Sequence, residues 1–215
     1  MSTVFIWWGI AALVLLVAAG WIGTIPDRTK GNLLGILVDG RGRMSLSQFQ
    51  LVLWTIVVLS LLMGVFFARL FGGVSQPQNF TIPNELLIVM GISVGSTASA
   101  AAVKAGKDFR ASASAGTGTG VKLIVARNAS GAPTPKFSQL FLTEEGSVEY
   151  VDITRFQNFW LTLILIVAYV AWAVAYLATK TPAKLTALPG FDSSMVTLLG
   201  ISHAGYLAGK LPDKP

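Results

Sequence analysis

Residues 45–71 read SLSQFQLVLWTIVVLSLLMGVFFARLF, an apolar run with a polar start and one charged residue, Arg69, near its end. Crossing the hydrocarbon core of a bilayer takes about 20 predominantly apolar residues in a helix. The run therefore predicts a transmembrane helix that begins near Ser45. Ser45 and Gln48 also have the spacing of a capping box, in which the two side chains cover free N–H groups of the first turn.

Four further apolar runs lie elsewhere in the chain, and the composition agrees with them. Only 12% of the residues are charged and 53% are hydrophobic, whereas soluble domains carry about 25% charged residues. We therefore predict an all-α membrane protein with about five transmembrane helices. The predicted spans are Val4–Thr24, Ser45–Phe71, Asn84–Val103, Thr154–Ala178 and Met195–Leu211. The last span is short, so a full crossing and a re-entrant segment both stay open.

The run at 45–71 has a counterpart later in the chain. Residues 45–50 (SLSQFQ) align with residues 152–157 (DITRFQ), and residues 90–93 (MGIS) align with residues 199–202 (LGIS). The order and spacing of the two motifs agree, which predicts two tandem two-helix repeats with the same orientation in the membrane. The chain then divides into a first helix (1–25), a first repeat (45–103), a cytoplasmic segment (104–151) and a second repeat (152–210).

The repeated motifs also carry a resemblance to known sequences. Residues 42–50 (GRMSLSQFQ), residues 53–55 (LWT) and residues 199–206 (LGISHAGY) resemble uncharacterised multi-pass membrane proteins of bacteria. The resemblance covers both repeats but not the first helix. It implies a bacterial inner-membrane protein and brings no function with it.

The distribution of basic residues predicts the orientation, because cytoplasmic loops carry an excess of Lys and Arg. With the N-terminus outside, 13 of the 16 Lys and Arg residues lie on the inner side. The outer side then holds only Arg69, Lys180 and Lys184. We therefore predict the inner (plasma) membrane, an outside N-terminus and a cytoplasmic C-terminus. Topology then accounts for the net charge of +6 without nucleic-acid binding.

The cytoplasmic segment, residues 104–151, has two parts of different composition. It opens with Gly, Ala, Ser and Thr as far as Gly120, which predicts a flexible linker. Val121–Val125 then predicts one strand of a small β element. Four acidic residues close the segment, and a solvated face or charges at a helix start are favoured over docking of a basic partner. They are Glu144, Glu145, Glu149 and Asp152.

Small residues recur along the second helix of each repeat. The set comprises Gly91, Gly95 and Ser99 in the first repeat and Gly200, Ala204, Gly205 and Gly209 in the second, with Ser93, Ser96 and Thr97 beside the first three. Small residues four apart let helix backbones approach closely. We interpret the set as helix packing within or between subunits. The alternative is a pore that the Ser and Thr side chains line.

Three polar residues inside the spans are further candidates. Gln50 and Gln157 occupy matching places in the repeats and, since a buried amide needs partners, are predicted to bond to each other or to helix-end backbone. His203 is the only histidine and has the chemistry to titrate near neutral pH. A packed polar role is favoured, with Tyr206, three residues on, as its partner.

The residue inventory narrows the function class. A single histidine and the lack of cysteine remove most metal and thiol chemistry. The spans carry no ionisable residue at their centres, which weighs against ion-coupled transport and intramembrane catalysis. We predict a non-enzymatic protein without cofactor or metal. One hypothesis is an oligomerising scaffold or anchor that presents its cytoplasmic segment to a protein partner. The other is a passive pore or channel formed by a homo-oligomer.

Overall fold

A computed structural model describes residues 3–25, 32–39, 42–115, 135–145 and 148–210, with the side chains of 107–115 and 143–149 left aside. The described chain is mostly helical. Its helices are α1 (Thr3–Thr24), α2 (Leu46–Phe71), α3 (Asn84–Ala115), α4 (Ile153–Ala178) and α5 (Ser193–Ala208). Strands β1 (Leu142–Glu145) and β2 (Val148–Val151) pair as an antiparallel hairpin. Single-turn 3-10 helices lie at Gly35–Leu37, Phe137–Leu140 and Pro182–Lys184.

Four of these helices are long and apolar enough to cross a bilayer, which makes the chain a multi-pass membrane protein. They are α1, α2, α4 and the Asn84–Gly106 part of α3. The prediction of about five membrane helices is confirmed for these four. The fifth, α5, has 16 residues and is therefore about 24 Å long. A hydrocarbon core is about 30 Å thick, so α5 does not reach across it unaided.

The helices pack as a four-helix bundle with one helix added outside. Helix α2 packs against α1, α3 and α4, while α5 packs against α3 and α4. The bundle is therefore a ring in the order α2, α3, α5, α4, and α1 covers the outer side of α2. We call the end where α2 and α4 begin the Lys104 end, and the opposite end the Arg69 end. Mid-bundle, the buried rings of Trp54, Tyr169 and Phe191 lie 5.4–6.4 Å apart.

The two halves of the bundle have matching patterns of burial. Residues 86–100 and 196–210 show the same order of buried, half-buried and exposed positions. In the first helices, six buried positions of α2 match six buried positions of α4 that lie 108 residues later in the chain. These six are Gln50, Trp54, Val58, Leu61, Val65 and Arg69, matched with Asn158, Thr162, Ile166, Tyr169, Ala173 and Leu177.

The register of this match differs by one residue from the register of the sequence motifs. Burial pairs Gln50 with Asn158, whereas the motif pairs it with Gln157, which is exposed. Similarly, Gly91 is exposed, whereas its motif partner Gly200 is half-buried. One residue along a helix is a rotation of about 100°. The predicted superposition of Gln50 on Gln157 and of Gly91 on Gly200 is therefore wrong as to which faces are equivalent.

The Lys104 end is covered by the segment that precedes α4. Met44 N–H donates to Gln139 Oε1 at 3.1 Å, and Arg155 Nη1 donates to Leu142 O at 2.5 Å. An aromatic cluster fills the space between this segment and the starts of α2 and α4. Its rings are those of Phe49, Phe137, Phe141 and Phe159, with centroids 5.0–6.4 Å apart. Residues 137–142, near the end of the segment predicted to be cytoplasmic, are therefore packed onto the bundle.

One prediction about segment 104–151 needs correction, and another lies outside the described residues. The flexible linker predicted from residue 104 is wrong as far as Ala115, because α3 continues through these residues without a break. Alanine is the strongest helix former, and alanines recur through this stretch. The predicted strand Val121–Val125 lies outside the described residues. The acidic residue Asp152 caps α4, accepting from the N–H groups of Thr154 and Arg155.

The capping box predicted at the start of α2 is absent. Ser45 does occupy the position before the helix, but its side chain makes no capping hydrogen bond. A capping box also requires the Gln48 side chain to accept from the Ser45 N–H. That N–H is already used, since it donates to Leu37 O at 2.8 Å. The Gln48 Oε1 atom is left buried, with no hydrogen-bond partner in the described chain.

Candidate functional site

Polar side chains meet inside the bundle near the Lys104 end. Gln50 is 1% exposed, and its Nε2 donates to Asn158 O at 3.2 Å and to Thr162 Oγ1 at 2.8 Å. Asn158 is fully buried, and its Oδ1 accepts from Ser202 Oγ at 3.0 Å. These contacts join α2, α4 and α5. Gln50 thus bonds neither to Gln157, which is exposed, nor to helix-end backbone, because Asn158 and Thr162 both lie inside α4.

A second set of hydrogen bonds brings α3 into the same layer. Ser47 Oγ lies 2.9 Å from Tyr206 OH, and Thr97 Oγ1 donates to Ser47 O at 3.1 Å. All four helices of the bundle are therefore linked by polar contacts. We call this set the polar layer: Ser47, Gln50, Thr97, Asn158, Thr162, Ser202 and Tyr206. Such interhelical bonds contribute about 0.6 kcal/mol each on average in a membrane protein.

The polar layer has hydrogen-bonding capacity left over. Five buried atoms in or beside it have no partner among the described residues: Gln50 Oε1, Asn158 Nδ2, Ser96 Oγ and both ring nitrogens of His203. Tyr206, predicted to be the partner of His203, bonds to Ser47 instead. All members of the layer are uncharged side chains. The layer therefore suits neutral polar groups or water.

The small residues predicted on α3 lie on two different faces. Ser93 and Ser96 are buried in the bundle, whereas Gly91, Gly95 and Ser99 are exposed. A Cβ added to Gly91 or Gly95 would meet no atom within 4 Å. The predicted close packing at these two glycines is therefore not formed within one chain. Because Ser93 and Ser96 face the inside of the bundle and Ser99 faces outward, one pore wall cannot hold all of them.

Helix α5 shows the same division. Ala204 and Gly205 are exposed, and a Cβ at Gly205 would meet nothing within 4 Å. Gly200 and Gly209 lie at contacts, where an added Cβ would be 3.7 Å from Ile92 Cδ1 and 3.6 Å from Thr154 Oγ1 respectively. These are ordinary van der Waals distances. The open parts of α3 and α5, at Gly91, Gly95, Ala204 and Gly205, are called the open faces below.

Helices α1 and α2 come into close contact at Gly64, a residue that the sequence did not mark as a packing position. A Cβ on Gly64 of α2 would come within 2.6 Å of the Trp8 Cα in α1. One turn earlier, Trp8 Nε1 donates to Ser60 Oγ at 3.1 Å. Ser60, Gly64 and Ala68 are buried at four-residue spacing. The same small-residue spacing that was noted in α3 would have revealed this contact in α2.

Arg69 is a second position whose structural role the sequence did not reveal. It is 4% exposed, and its guanidinium N–H groups donate to backbone carbonyl oxygens of the two connectors at the Arg69 end, residues 72–83 and 179–192. The acceptors are Gln76 O, Pro77 O, Asn79 O, Pro182 O and Leu185 O. Guanidinium has five N–H donors, so this set uses its full capacity. Arg69 therefore fixes the two connectors to each other.

Comparisons with protein families, with curated proteins and with solved structures found no match.

Proposed function

We propose that this protein is a non-enzymatic membrane scaffold that self-associates through its open faces and holds the cytoplasmic segment for a protein partner. The observation that carries the proposal is the open space at Gly91, Gly95 and Gly205. Glycine on a lipid-facing helix surface contributes little packing area by itself, whereas it allows a second helix backbone to come close. Matching open faces on two neighbouring helices suit association with further copies of the chain.

The attachment of the cytoplasmic segment supports the same proposal. At its start, α3 carries the chain out of the bundle as a continuous helix to Ala115. At its end, residues 137–142 pack onto the starts of α2 and α4. The segment is thus held at both ends by the membrane domain. A scaffold needs such fixed attachment points, because a partner bound to loose linker would not be positioned.

The orientation proposed from the charge distribution places the Lys104 end in the cytoplasm. Helix α1 begins at the Arg69 end, where Trp7 stacks on Phe71 at 4.5 Å, so the N-terminus and the Arg69 end lie on the same side of the membrane. An outside N-terminus then brings the cytoplasmic segment and the C-terminus to the inner side. We propose the bacterial inner membrane as the location.

We further propose that the bundle arose from two tandem two-helix units. The matching burial patterns of α2 with α4 and of α3 with α5 support this origin. So does the pairing of the connectors, in which Thr81 N–H donates to Thr186 O at 2.8 Å and Leu188 N–H donates to Thr81 O at 3.0 Å. This bridge is parallel. Two segments that are related by a two-fold axis along their own direction run parallel to each other, so a parallel bridge is expected between equivalent connectors.

Leucine substitutions at two glycines test the scaffold. Gly95→Leu fills an open face, and Gly9→Leu is the matched control, because Gly9 also has open space but lies on α1. We expect native mass spectrometry from nanodiscs to show an oligomer for the parent and for Gly9→Leu. Gly95→Leu should shift the protein toward monomer with unchanged melting temperature. A monomeric parent, or an oligomer indifferent to Gly95→Leu, would contradict the proposal.

A pore within the oligomer is the second candidate. Its wall would be the exposed side of α3, where Ser99 is the polar residue beside Gly91 and Gly95. Ion or solute flux into liposomes is the measurement, with Ser99→Leu as the blocking variant. Flux that Ser99→Leu abolishes without changing the oligomer would favour the pore. If the parent protein shows no flux, the pore is excluded and the scaffold is the one remaining candidate.

A further inference from the structure

A cleft of about 420 Å³ lies between α1 and α2 and reaches one residue of α3. Its lining comes from α1 between Leu15 and Ile22, from the start of α2 between Gln48 and Ile56, and from Thr97 of α3. Each lining residue is half-buried or exposed, so the cleft is open at the side of the protein. Because α1 and α2 both span the membrane, this opening faces lipid.

The polarity of the cleft changes along its length. Gln48 lies in the first turn of α2, and its Oε1 is buried without a hydrogen-bond partner among the described residues. Thr97 lies level with it, since the Thr97 hydroxyl donates to Ser47 O. Eight of the eleven lining side chains are aliphatic, and Ile56 lies about 12 Å deeper along α2. Thr55 is the one polar residue at that depth.

This arrangement matches an amphiphile that stands upright in one leaflet. A phospholipid has its hydrogen-bonding groups near the membrane surface and its acyl chains directed to the midplane. The unpartnered Oε1 atom of Gln48 is at the surface end, and the aliphatic wall runs inward from it. An amide oxygen accepts hydrogen bonds, so it can bond to a lipid hydroxyl or ammonium group. The volume is within the range of about 300–1,000 Å³ for ligand sites.

We propose that the cleft binds one phospholipid from the leaflet at the Lys104 end. Gln48 bonds to the glycerol or headgroup region, and one acyl chain lies along Leu51, Val52 and Ile56. The lipid then forms part of the contact between α1 and the bundle toward the Lys104 end. This site is independent of the open faces on α3 and α5, so it exists whether or not the chain forms an oligomer.

Native mass spectrometry tests the proposal. The full chain is placed in nanodiscs of phosphatidylethanolamine and phosphatidylglycerol with mixed acyl lengths, then released at energies that strip loosely bound lipid. The parent should keep one lipid per chain. Ala19→Trp puts an indole into the cleft and should lose this lipid. Val17→Trp, at a position 63% exposed on the same helix, should keep it.

A second variant tests the proposal independently, in case Ala19→Trp folds poorly. Ile56→Trp blocks only the deep end, so the retained lipid should shift toward shorter acyl chains relative to the parent. A parent free of lipid overturns the proposal. So does retention by Ala19→Trp equal to that of the parent, or an acyl-length profile unchanged by Ile56→Trp. Retention that follows dimer content rather than these substitutions would place a second copy in the cleft and also overturn it.

Discussion

Replacement of Arg69 should separate the role of its charge from the role of its shape. Arg69→Lys keeps the positive charge, but an ammonium donates at most three hydrogen bonds. At least two of the five backbone carbonyls at the Arg69 end then lose their partner. Each hydrogen bond from a charged donor contributes about 1.5–3 kcal/mol. We therefore expect Arg69→Lys to lower the free energy of unfolding by about 3 kcal/mol.

Arg69→Met should have the larger effect, since it removes every donor while keeping a similar aliphatic stem. All five carbonyls then lose their partner. Water reaching the connectors replaces some of these bonds, so we expect a loss of about 5 kcal/mol rather than the full sum. For a chain of this length each kcal/mol lowers the melting temperature by about 2–4 °C. The expected decrease is about 6–12 °C for Arg69→Lys and about 10–20 °C for Arg69→Met.

Thermal unfolding in detergent, followed by tryptophan fluorescence, measures both variants. Lys184→Met is the matched control, because it removes a positive charge from an exposed side chain of the same connector region. Its free energy of unfolding should stay within about 0.5 kcal/mol of the parent. Equal melting of Arg69→Met and the parent would refute the structural role. Equal melting of Arg69→Lys and the parent would show that charge alone suffices, against the five-donor argument.

Two further predictions concern packing and topology. Gly64→Leu should destabilise the chain by about 3 kcal/mol or more, because its Cβ meets the Trp8 backbone, whereas Gly9→Leu should leave the melting temperature unchanged. In intact cells, an impermeant maleimide should label a cysteine at Ser75, in the connector at the Arg69 end, and spare one at Ser138, at the Lys104 end. Both serines are exposed, so the reverse labelling would invert the proposed orientation.

The sequence predicted the long helices well because burial in lipid imposes a simple requirement on composition. A run of apolar residues of spanning length has to be a helix, since every backbone N–H and C=O must be paired there. The predicted span Asn84–Val103 shows the limit of that reasoning. Outside the membrane the requirement ends, and the continuation of α3 to Ala115 depends on helix propensity, which a composition rich in Gly and Ser obscured.

The contacts between helices were harder to predict. Small residues at four-residue spacing occur both at Gly91 and Gly95, where the space is open, and at Ser60 and Gly64, where α1 presses against α2. Spacing identifies a surface that permits close approach but not the surface that approaches it. The contacts of Arg69 could not be predicted from the sequence for a related reason. Its partners are backbone carbonyls, which every residue carries and no residue type marks.

The polar layer was predicted in part. Gln50 was recognised as a buried amide in need of partners, but its contact with Asn158 and Thr162 depends on a one-residue difference in register between the motifs and the packed faces. The motif alignment matches residues of similar chemistry at similar places in the two repeats. The packing of α2 on α4 instead depends on which face is directed at the neighbour, and that differs by about 100° for one residue.

The length of α3 sets a distance outside the membrane. The span predicted from the sequence ends at Val103, and Ala115 lies twelve residues further along the same helix. Twelve helical residues add about 18 Å. Any molecule held at Ala115 therefore stands at a fixed height above the bilayer surface instead of resting on the lipid headgroups. Insertion or deletion of residues in this projecting part would change that height by about 1.5 Å per residue and rotate the attachment point around the helix axis by about 100°. In the scaffold that we propose, the projecting helix is a spacer whose length and angular position both follow from the number of residues in it.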